Sequence, residues 1–196
     1  MKILAVADVV SPQIVEKKNG KLPIEGIDCI ISCGDLPPEV LAALRDRYDV
    51  PLYYVLGNHD LRYSSPPAGC ELLDKKLVVF QNKRIMGFSG SRWYNGGCNQ
   101  FTEQQMAATI RSMYFQLLLK RGVDLIVTHS PPRHIHDAED PCHKGFRSFR
   151  KIIERYRPQY FIHGHIHQSF THDSERMTEF ASTKIVNSYG YTVFEI

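Results

Sequence analysis

Short apolar segments rich in β-branched and aromatic residues alternate with segments of helical character along the 196 residues of the chain. Each apolar segment has the length of a strand and is too short for a buried helix. The predicted strands cover residues 2–7, 28–32, 52–56, 77–80, 84–89, 124–128, 159–162, 184–187 and 191–196. A chain that alternates strands and helices in this way is expected to form an α/β fold.

Start and stop signals predict three helices between these strands, over residues 37–48, 102–121 and 146–156. Two prolines suit the first turn of the first helix. Thr102 and Gln105 form a capping-box pattern at the start of the second helix, and Gly122 ends it. Pro158 prevents the third helix from continuing. Because the early strands are spaced for parallel crossovers and the late ones for hairpins, we expect a mixed-sheet sandwich flanked by helices.

The composition fits one globular domain over residues 1–196. The net charge of +3 is too small to indicate a nucleic-acid or anionic-membrane partner. No apolar run approaches the roughly 20 residues of a membrane helix, and the opening MKILAVADVV predicts a strand rather than a signal peptide. The five cysteines form no CxxC pair and no even-numbered disulfide set, so we expect free thiols and a cytoplasmic location.

Polar side chains of one chemical kind follow five of the predicted strands. They are Asp8, Asp35, the group Asn58, His59 and Asp60, then His129, and finally His163, His165 and His167. Carboxylates, a carboxamide oxygen and imidazoles are ligands for hard to borderline divalent metals. Because no cysteine belongs to this set, a thiolate-type structural zinc site is not indicated.

The ordered signature D…GD…GNHD…TH…GHIH resembles that of the calcineurin-like metallophosphoesterases, and it extends from Asp8 to His167. The resemblance implies two mixed β-sheets in a sandwich with helices outside. It also implies a site for two divalent ions, with Mn²⁺ expected and Fe, Zn, Ni or Mg as alternatives. By this resemblance Asp35 bridges both ions. One ion is completed by Asn58, His129 and His165, and the other by Asp8 and His167.

Three histidines lie two residues apart in the segment YFIHGHIH. A regular strand would direct all three to one face, because alternate side chains of a strand point the same way. Gly164 is expected to permit a backbone turn, so that His165 and His167 each reach a different ion. His163 matches no ligand of the family, and we expect it to support the site or to pack.

The sequence departs from the family at Val10, where the D-x-H motif has a histidine that binds the first ion. Valine cannot coordinate a metal, so the first site is expected to be weakened. Three outcomes are open: the first ion still binds with more water, it is lost, or another side chain replaces the missing ligand. The candidates for replacement are His134, His136 and His143.

The resemblance also assigns catalytic roles. Two adjacent cations lower the pKa of a shared water, and the resulting metal-bound hydroxide attacks phosphorus. His59 matches the residue that stabilises or protonates the leaving oxygen. Asp60 is expected to accept a hydrogen bond from His59 and to fix its tautomer.

Four residues are candidates for substrate binding. Arg62 follows the GNHD motif, and Arg92 lies in a glycine-rich loop that can approach phosphate. The histidine-rich segment 130–145, which contains His134 and His136, is expected either to cap the site or to form a polar surface loop. A solvated surface charge and an ordinary structured loop are the alternatives for the two arginines.

These features predict a metal-dependent phosphoesterase acting on a small phosphomonoester or phosphodiester. A cyclic-nucleotide or related phosphodiesterase is the first alternative, because the substitution at Val10 resembles members that favour diesters. The alternative of another class is a non-catalytic protein-interaction scaffold of the same fold. The expected partner is a small phosphorylated substrate rather than a membrane, and the oligomeric state is open.

Overall fold

The computed structural model describes residues 1–16, 22–60 and 65–196. Within these ranges the strands are β1 (Lys2–Ala7), β2 (Cys29–Ser32), β3 (Leu52–Tyr54), β4 (Cys70–Leu72), β5 (Leu77–Phe80), β6 (Lys83–Phe88), β7 (Ser91–Arg92), β8 (Gln100–Phe101), β9 (Leu125–Thr128), β10 (Tyr160–His163), β11 (Met177–Phe180), β12 (Thr183–Asn187) and β13 (Gly190–Glu195). The helices are α1 (Pro12–Val15), α2 (Pro38–Tyr48), α3 (Glu103–Ser112), α4 (Tyr114–Leu119) and α5 (Arg147–Tyr156), and a 3₁₀ turn covers Asp173–Arg176.

Two mixed sheets form the centre of the fold, as the sequence predicts. The first sheet has the order β13-β1-β2-β3-β4, and the second has the order β11-β12-β10-β9-β6-β5. Strands β1 to β4 are mutually parallel, and so are β6, β9, β10 and β12. The outer strands β13, β11 and β5 pair antiparallel with their neighbours. The parallel central strands therefore present their carboxyl ends at one edge of each sheet.

The alternation of side chains along the strands produces four layers. In β1, Ile3 and Ala5 face the second sheet, where they meet residues such as Leu125 and Ile162. The intervening Leu4 and Val6 face outward and pack against α1 and α2. On the far side, α3, α4 and α5 cover the second sheet. The order of the layers is helix, sheet, sheet, helix.

The helices follow the predicted start signals but differ in length. Thr102 and Gln105 form the predicted capping box at the start of α3. The single long helix predicted from there to Gly122 is wrong: α3 ends at Ser112, and α4 begins at Tyr114 after a cap at Met113. Each helix in the described ranges is too short or too polar to cross a bilayer.

One ion pair ties β6 to the start of β9. Asp124 Oδ2 accepts hydrogen bonds from the backbone N–H of Arg84 at 2.8 Å and from its Nε at 2.7 Å. Asp124 Oδ1 accepts a third from Arg84 Nη2 at 2.7 Å. The hydrogen bonds from the Arg84 side chain are the largest reason why the pKa of Asp124 is lowered.

We expect Asp124→Asn to lower the free energy of unfolding by about 1–2 kcal/mol at pH 7, because it removes a charge-assisted, bidentate interaction. Since the pKa of Asp124 is depressed by folding, its contribution is present above about pH 4 and is lost as the pH falls. Urea unfolding at pH 7 and pH 3 measures this. Asp46→Asn, which breaks the exposed pair with Arg45, is the control and should change little. An equal loss at both pH values for Asp124→Asn would contradict this role.

Candidate metal centre

The predicted ligands gather where the parallel strands of both sheets end. Asp8 follows β1, Asp35 lies shortly after β2, and Asn58 lies beyond β3. From the second sheet, His129 follows β9 directly and His165 lies just beyond β10. The nearest ligand atoms of Asp8, Asp35 and His129 all lie within 4.8 Å of one another. Chain segments as distant as residues 8 and 165 thus form one site.

Three of the site residues have a left-handed backbone, although none is glycine. The φ angles are 65° at Asp8, 57° at Asp35 and 68° at His165. Such conformations cost free energy for residues with a Cβ and are typical of functional sites. The turn in GHIH therefore occurs at His165. The prediction that Gly164 supplies it is wrong, because the φ of Gly164 is not positive.

Two glycines are required because other site residues occupy the space beside them. A Cβ on Gly164 would lie 2.6 Å from the Cβ of Ala7 and 2.8 Å from Asp8 Oδ2. A Cβ on Gly57 would lie 2.0 Å from Asp35 Oδ1. Both distances are far below van der Waals contact, so these positions let the backbone approach the carboxylates.

His129 is fully buried, and both of its ring nitrogens face oxygen acceptors. Nδ1 lies 2.8 Å from the carbonyl oxygen of Cys33, and Nε2 lies 3.0 Å from Asn58 Oδ1. A neutral imidazole has one N–H group. If Nδ1 donates to Cys33, the lone pair of Nε2 points at oxygen atoms, an arrangement that a cation would stabilise.

The surroundings of Asp35, the predicted bridging ligand, also indicate a cation site. Its Oδ1 accepts a hydrogen bond from the backbone N–H of His59 at 2.8 Å. Its Oδ2 is buried and lies 3.2 Å from His129 Nε2. The Nε2 atom is aligned with Asn58 Oδ1 instead. Asp35 Oδ2 therefore has no hydrogen-bond partner among the described residues. Buried polar atoms are normally satisfied. The donor chemistry therefore fits a divalent cation.

The pKa values of this pair follow from the attraction between its two members. Burial alone would lower the pKa of His129, but the carboxylates of Asp35 and Asp8 raise it to about 9. Burial would raise the pKa of Asp35, but His129 lowers it. The site thus attracts positive charge strongly.

Asp8 joins the two predicted ligands of the GHIH segment. Its carboxylate accepts hydrogen bonds from the backbone N–H of His165 at 3.2 Å and 3.0 Å. His167 Nε2 lies 3.3 Å from Asp8 Oδ1, and this interaction raises the pKa of His167. The ring of His167 stacks on Tyr189 and remains half-exposed.

His165 lies over His129, with ring centroids 4.7 Å apart. Its Nε2 lies 2.7 Å from the carbonyl oxygen of Cys142, so Nδ1 is the nitrogen left with a lone pair. Burial, followed by the charge of His129, lowers the pKa of His165 to about 3. His165 is therefore neutral at pH 7, the form that a metal ligand requires.

Two supporting contacts were not predicted from the sequence. Asn58 Nδ2 donates to the hydroxyl of Tyr94 at 3.2 Å, which orients the Asn58 oxygen toward His129. The carbonyl of Cys142 orients His165 in the same way. Each contact joins residues far apart in sequence, and no local pattern indicates either of them.

Val10 and the three candidates for a replacement ligand have different surroundings. The side chain of Val10 packs against the apolar cluster that includes Leu4, Val6 and Ile14. Among the candidates, His134 lies near Glu139, and His136 contacts His163 and Thr178. His143 contacts Asp140, and its ring lies 5.3 Å from the ring of the predicted ligand His165 between centroids. Which of the three outcomes holds at the first site stays a prediction.

His59 and Asp60 of the GNHD motif differ in exposure to solvent. His59 is exposed, and its ring makes no hydrogen bond within the described ranges. Asp60 is buried, and its Oδ2 accepts from the backbone N–H groups of Asp35 and Gly57, each at 2.8 Å. The structure therefore gives Asp60 a bracing function for the two loops, in place of the predicted bond to the His59 ring.

Three of the four substrate-binding candidates lie in the described ranges, and each of them contacts groups other than the predicted metal ligands. Arg62 lies outside the described residues. Arg92 donates to Glu103 Oε2 at 2.7 Å and lies over the ring of Phe146. His134 is exposed, whereas His136 bonds to the buried His163. For Arg92 this geometry matches the structured-loop alternative, and phosphate binding by the other three stays a prediction.

His163 supports the loop above the site. Its Nδ1 lies 2.9 Å from the Gly164 carbonyl oxygen, and its Nε2 lies 2.9 Å from His136 Nδ1. His136 Nε2 in turn lies 2.8 Å from the hydroxyl of Thr178. The chain of contacts fastens segment 130–145 to β10 and β11, which agrees with a supporting role for His163.

Comparison with known proteins agrees with this geometry. The family model described as calcineurin-like phosphoesterase matches residues 1–169, so the chain belongs to this family. Members of the family generally bind divalent metals, and the donor set found here is of that kind. No curated protein matches the sequence significantly.

Solved structures share the fold at low sequence identity. One aligns with a TM-score of 0.67 at 14% identity, covering 98% of this chain and 93% of its own. A putative 5'-nucleotidase from Staphylococcus aureus aligns with a TM-score of 0.55 at 15% identity, over 95% of this chain and 48% of the nucleotidase. GAP50 of Plasmodium, an anchor in the inner membrane complex, has a TM-score of 0.54 at 12% identity, over 95% and 70% of the two chains. Identities this low show a common fold only.

We expect Asp35→Asn to abolish metal-dependent stabilisation of the folded protein. The substitution removes the carboxylate charge that faces His129 Nε2 at 3.2 Å and that would hold the cations. In the wild type, Mn²⁺ at about 100 times its dissociation constant should contribute about 2.7 kcal/mol, a shift of several degrees in Tm.

Thermal unfolding with Mn²⁺ and with EDTA measures both effects. Asp46→Asn, an exposed carboxylate on α2, is the matched control and should keep the full shift. An undiminished Mn²⁺ shift in Asp35→Asn would contradict the assignment of Asp35 as a ligand.

Proposed function

We propose that the chain is a metal-dependent phosphoesterase that hydrolyses a small phosphomonoester or phosphodiester at the carboxyl ends of its parallel strands. The observation that carries this proposal is the buried Oδ2 of Asp35, which has no hydrogen-bond partner among the described residues and lies beside His129 Nε2, itself close to Asn58 Oδ1. When the His129 ring is neutral and Nδ1 donates to Cys33, the Nε2 lone pair faces these oxygens. Family membership supports the reaction class.

Two divalent ions are the cofactor of this proposal, with Mn²⁺ as the preferred metal. Asp35 would contact both, and Asn58, His129 and His165 would complete one site. Asp8 and His167 would hold the other, which lacks a histidine at Val10. The half-exposed His167 supports a more open, water-rich first site.

The chemistry supplied by such ions is Lewis acidity, which lowers the pKa of an attacking water and neutralises charge on the phosphoryl oxygens. The protein's own groups perform the remaining steps. Asp60 holds the backbone of Asp35 and Gly57, so the bridging carboxylate is fixed before substrate binds. The exposed imidazole of His59 lies at the rim, where it can give a proton to the leaving oxygen.

A cavity beside the first site bears on the substrate class. It has a volume of about 620 Å³ and is lined by residues that include Val9, Val10, Gln168 and Tyr189. Val9 is adjacent to Asp8, Gln168 is adjacent to His167, and Tyr189 stacks on His167. Because the cavity-lining Val10 is smaller than a histidine, this space can take a second ester substituent. The cavity favours a diester, including a cyclic or linear nucleotide, over a small monoester.

A protein-interaction scaffold is the second candidate. The observation that favours it is a group of apolar side chains on α4, where Phe115, Leu118 and Leu119 are 68%, 74% and 65% exposed. The near-complete donor set weighs against a purely structural chain.

The five free cysteines support a reducing compartment, and we infer a cytoplasmic location for either candidate.

We expect purified protein with Mn²⁺ to hydrolyse an aryl phosphodiester faster than an aryl phosphomonoester. His59→Ala should lower kcat by about 100-fold or more, because general acid catalysis is lost. Steady-state assays with both esters measure this, and Asp46→Asn, an exposed carboxylate on α2, is the control. Full activity in His59→Ala would contradict its role. Absence of turnover with any divalent ion would contradict the enzyme and leave the scaffold.

A further inference from the structure

A second cluster of metal-binding groups lies in segment 130–145, next to the strand-end ligand His165, whose ring centroid is 5.3 Å from that of His143. Asp140, Cys142 and His143 each place one ligand atom within 4.8 Å of the other two. Cys142 Sγ is 2.9 Å from Asp140 Oδ1 and 3.3 Å from His143 Nδ1. His143 Nδ1 is 2.9 Å from Asp140 Oδ1. Sulfur, oxygen and nitrogen donors therefore surround a single point.

The geometry excludes a nucleophilic triad of cysteine, histidine and aspartate. In such a triad the imidazole uses one nitrogen for the nucleophile and the other for the carboxylate. Here Nδ1 faces both Cys142 and Asp140, while Nε2 lies 3.9 Å from the sulfur. The thiol and the carboxylate both lie next to the same ring nitrogen of His143. This arrangement suits binding of one metal ion by all three groups and does not suit proton transfer from the thiol through the ring to the carboxylate.

The loop holds these donors in place through bonds outside the cluster. The backbone N–H of Ala138 donates to the carbonyl of His143 at 3.2 Å. Asp137 accepts from the backbone N–H groups of His134 and Gly145 and from Arg133 Nη1. The neighbouring Lys144 ammonium lies 3.8 Å from Glu139, so a carboxylate outside the cluster balances it. The donors are therefore positioned before any ligand arrives.

We propose that Asp140, Cys142 and His143 form a separate zinc site in this loop. Zn²⁺ binds thiolate, imidazole and carboxylate together, and a site with three protein ligands keeps a fourth position for water. Asp140 and His143 side chains are 45% and 39% exposed, which gives that water access. The donors need to separate by only a few tenths of an ångström to reach tetrahedral spacing.

The sulfur ligand distinguishes this site from the strand-end centre. Soft thiolate selects zinc, whereas carboxylates and a carboxamide also suit manganese or magnesium. Cys142 contacts both sites, because its sulfur belongs to the cluster and its carbonyl oxygen accepts from His165 Nε2. A zinc ion here would fix the loop that orients His165.

Cobalt titration of the full chain tests the site. Co²⁺ bound by a thiolate gives a near-ultraviolet charge-transfer band that oxygen and nitrogen ligands do not produce. We expect this band in the wild type, its loss in Cys142→Ser, and its retention in Cys98→Ser, which changes an exposed free cysteine. We also expect Zn²⁺ to displace Co²⁺ and to protect Cys142 from alkylation, as mapped by peptide mass spectrometry.

The strand-end variant Asp35→Asn should keep the band, which separates this site from the proposed phosphoesterase centre. Asp140→Asn and His143→Gln should weaken Co²⁺ binding at least about tenfold. Circular dichroism confirms that each variant is folded. Absence of the band in the wild type, its persistence in Cys142→Ser, or its loss in Asp35→Asn would each overturn the proposal.

Discussion

The buried carboxylate of Asp35 is the constraint on which the site depends. It lies between two loops, held on one side by the backbone of His59 and faced on the other by the ring of His129. Gly57 has no side chain because Asp35 Oδ1 occupies the space that a Cβ would need. Asp60 accepts from the backbone of both loops, which keeps the carboxylate where His129 and Asn58 can share a ligand with it.

This arrangement is stabilised by the sandwich around it and is unfavourable by itself. Left-handed backbone at Asp8, Asp35 and His165 costs free energy. So does the buried Asp35 Oδ2, which no described residue bonds. The apolar contacts between the two sheets, such as those of Ile3, Leu125 and Ile162, offset these costs. A rigid frame of parallel strands thus holds together polar groups that would separate in water.

Much of this could be predicted from the sequence, because strand periodicity and the polar residues after each strand are local signals. The predicted and observed strands agree closely from Lys2–Ala7 to Gly190–Glu195. Four strands that pair along a single side were missed, since such pairing leaves little apolar pattern: Cys70–Leu72, Ser91–Arg92, Gln100–Phe101 and Met177–Phe180. The break at Met113 was missed because the helical period continues through it.

Contacts set by tertiary structure could not be predicted. Asp60 bonds to backbone amides of another loop, Tyr94 fixes the amide of Asn58, and Cys142 fixes the ring of His165. The direction of the Val10 side chain also depended on packing against α1. In each case the sequence shows the residue type, but the residue that it contacts belongs to a distant segment of the chain. The chemical type of each site residue was therefore easier to predict than the direction of its side chain.

Anomalous diffraction from a crystal soaked in Mn²⁺ tests the central claim most directly, because it locates the ion among named atoms. The account predicts a strong peak at coordination distance from Asp35 Oδ2, Asn58 Oδ1 and His129 Nε2, with a weaker peak between Asp8 and His167. Density showing these side chains in their described positions, with no anomalous peak among them at saturating Mn²⁺, would contradict it.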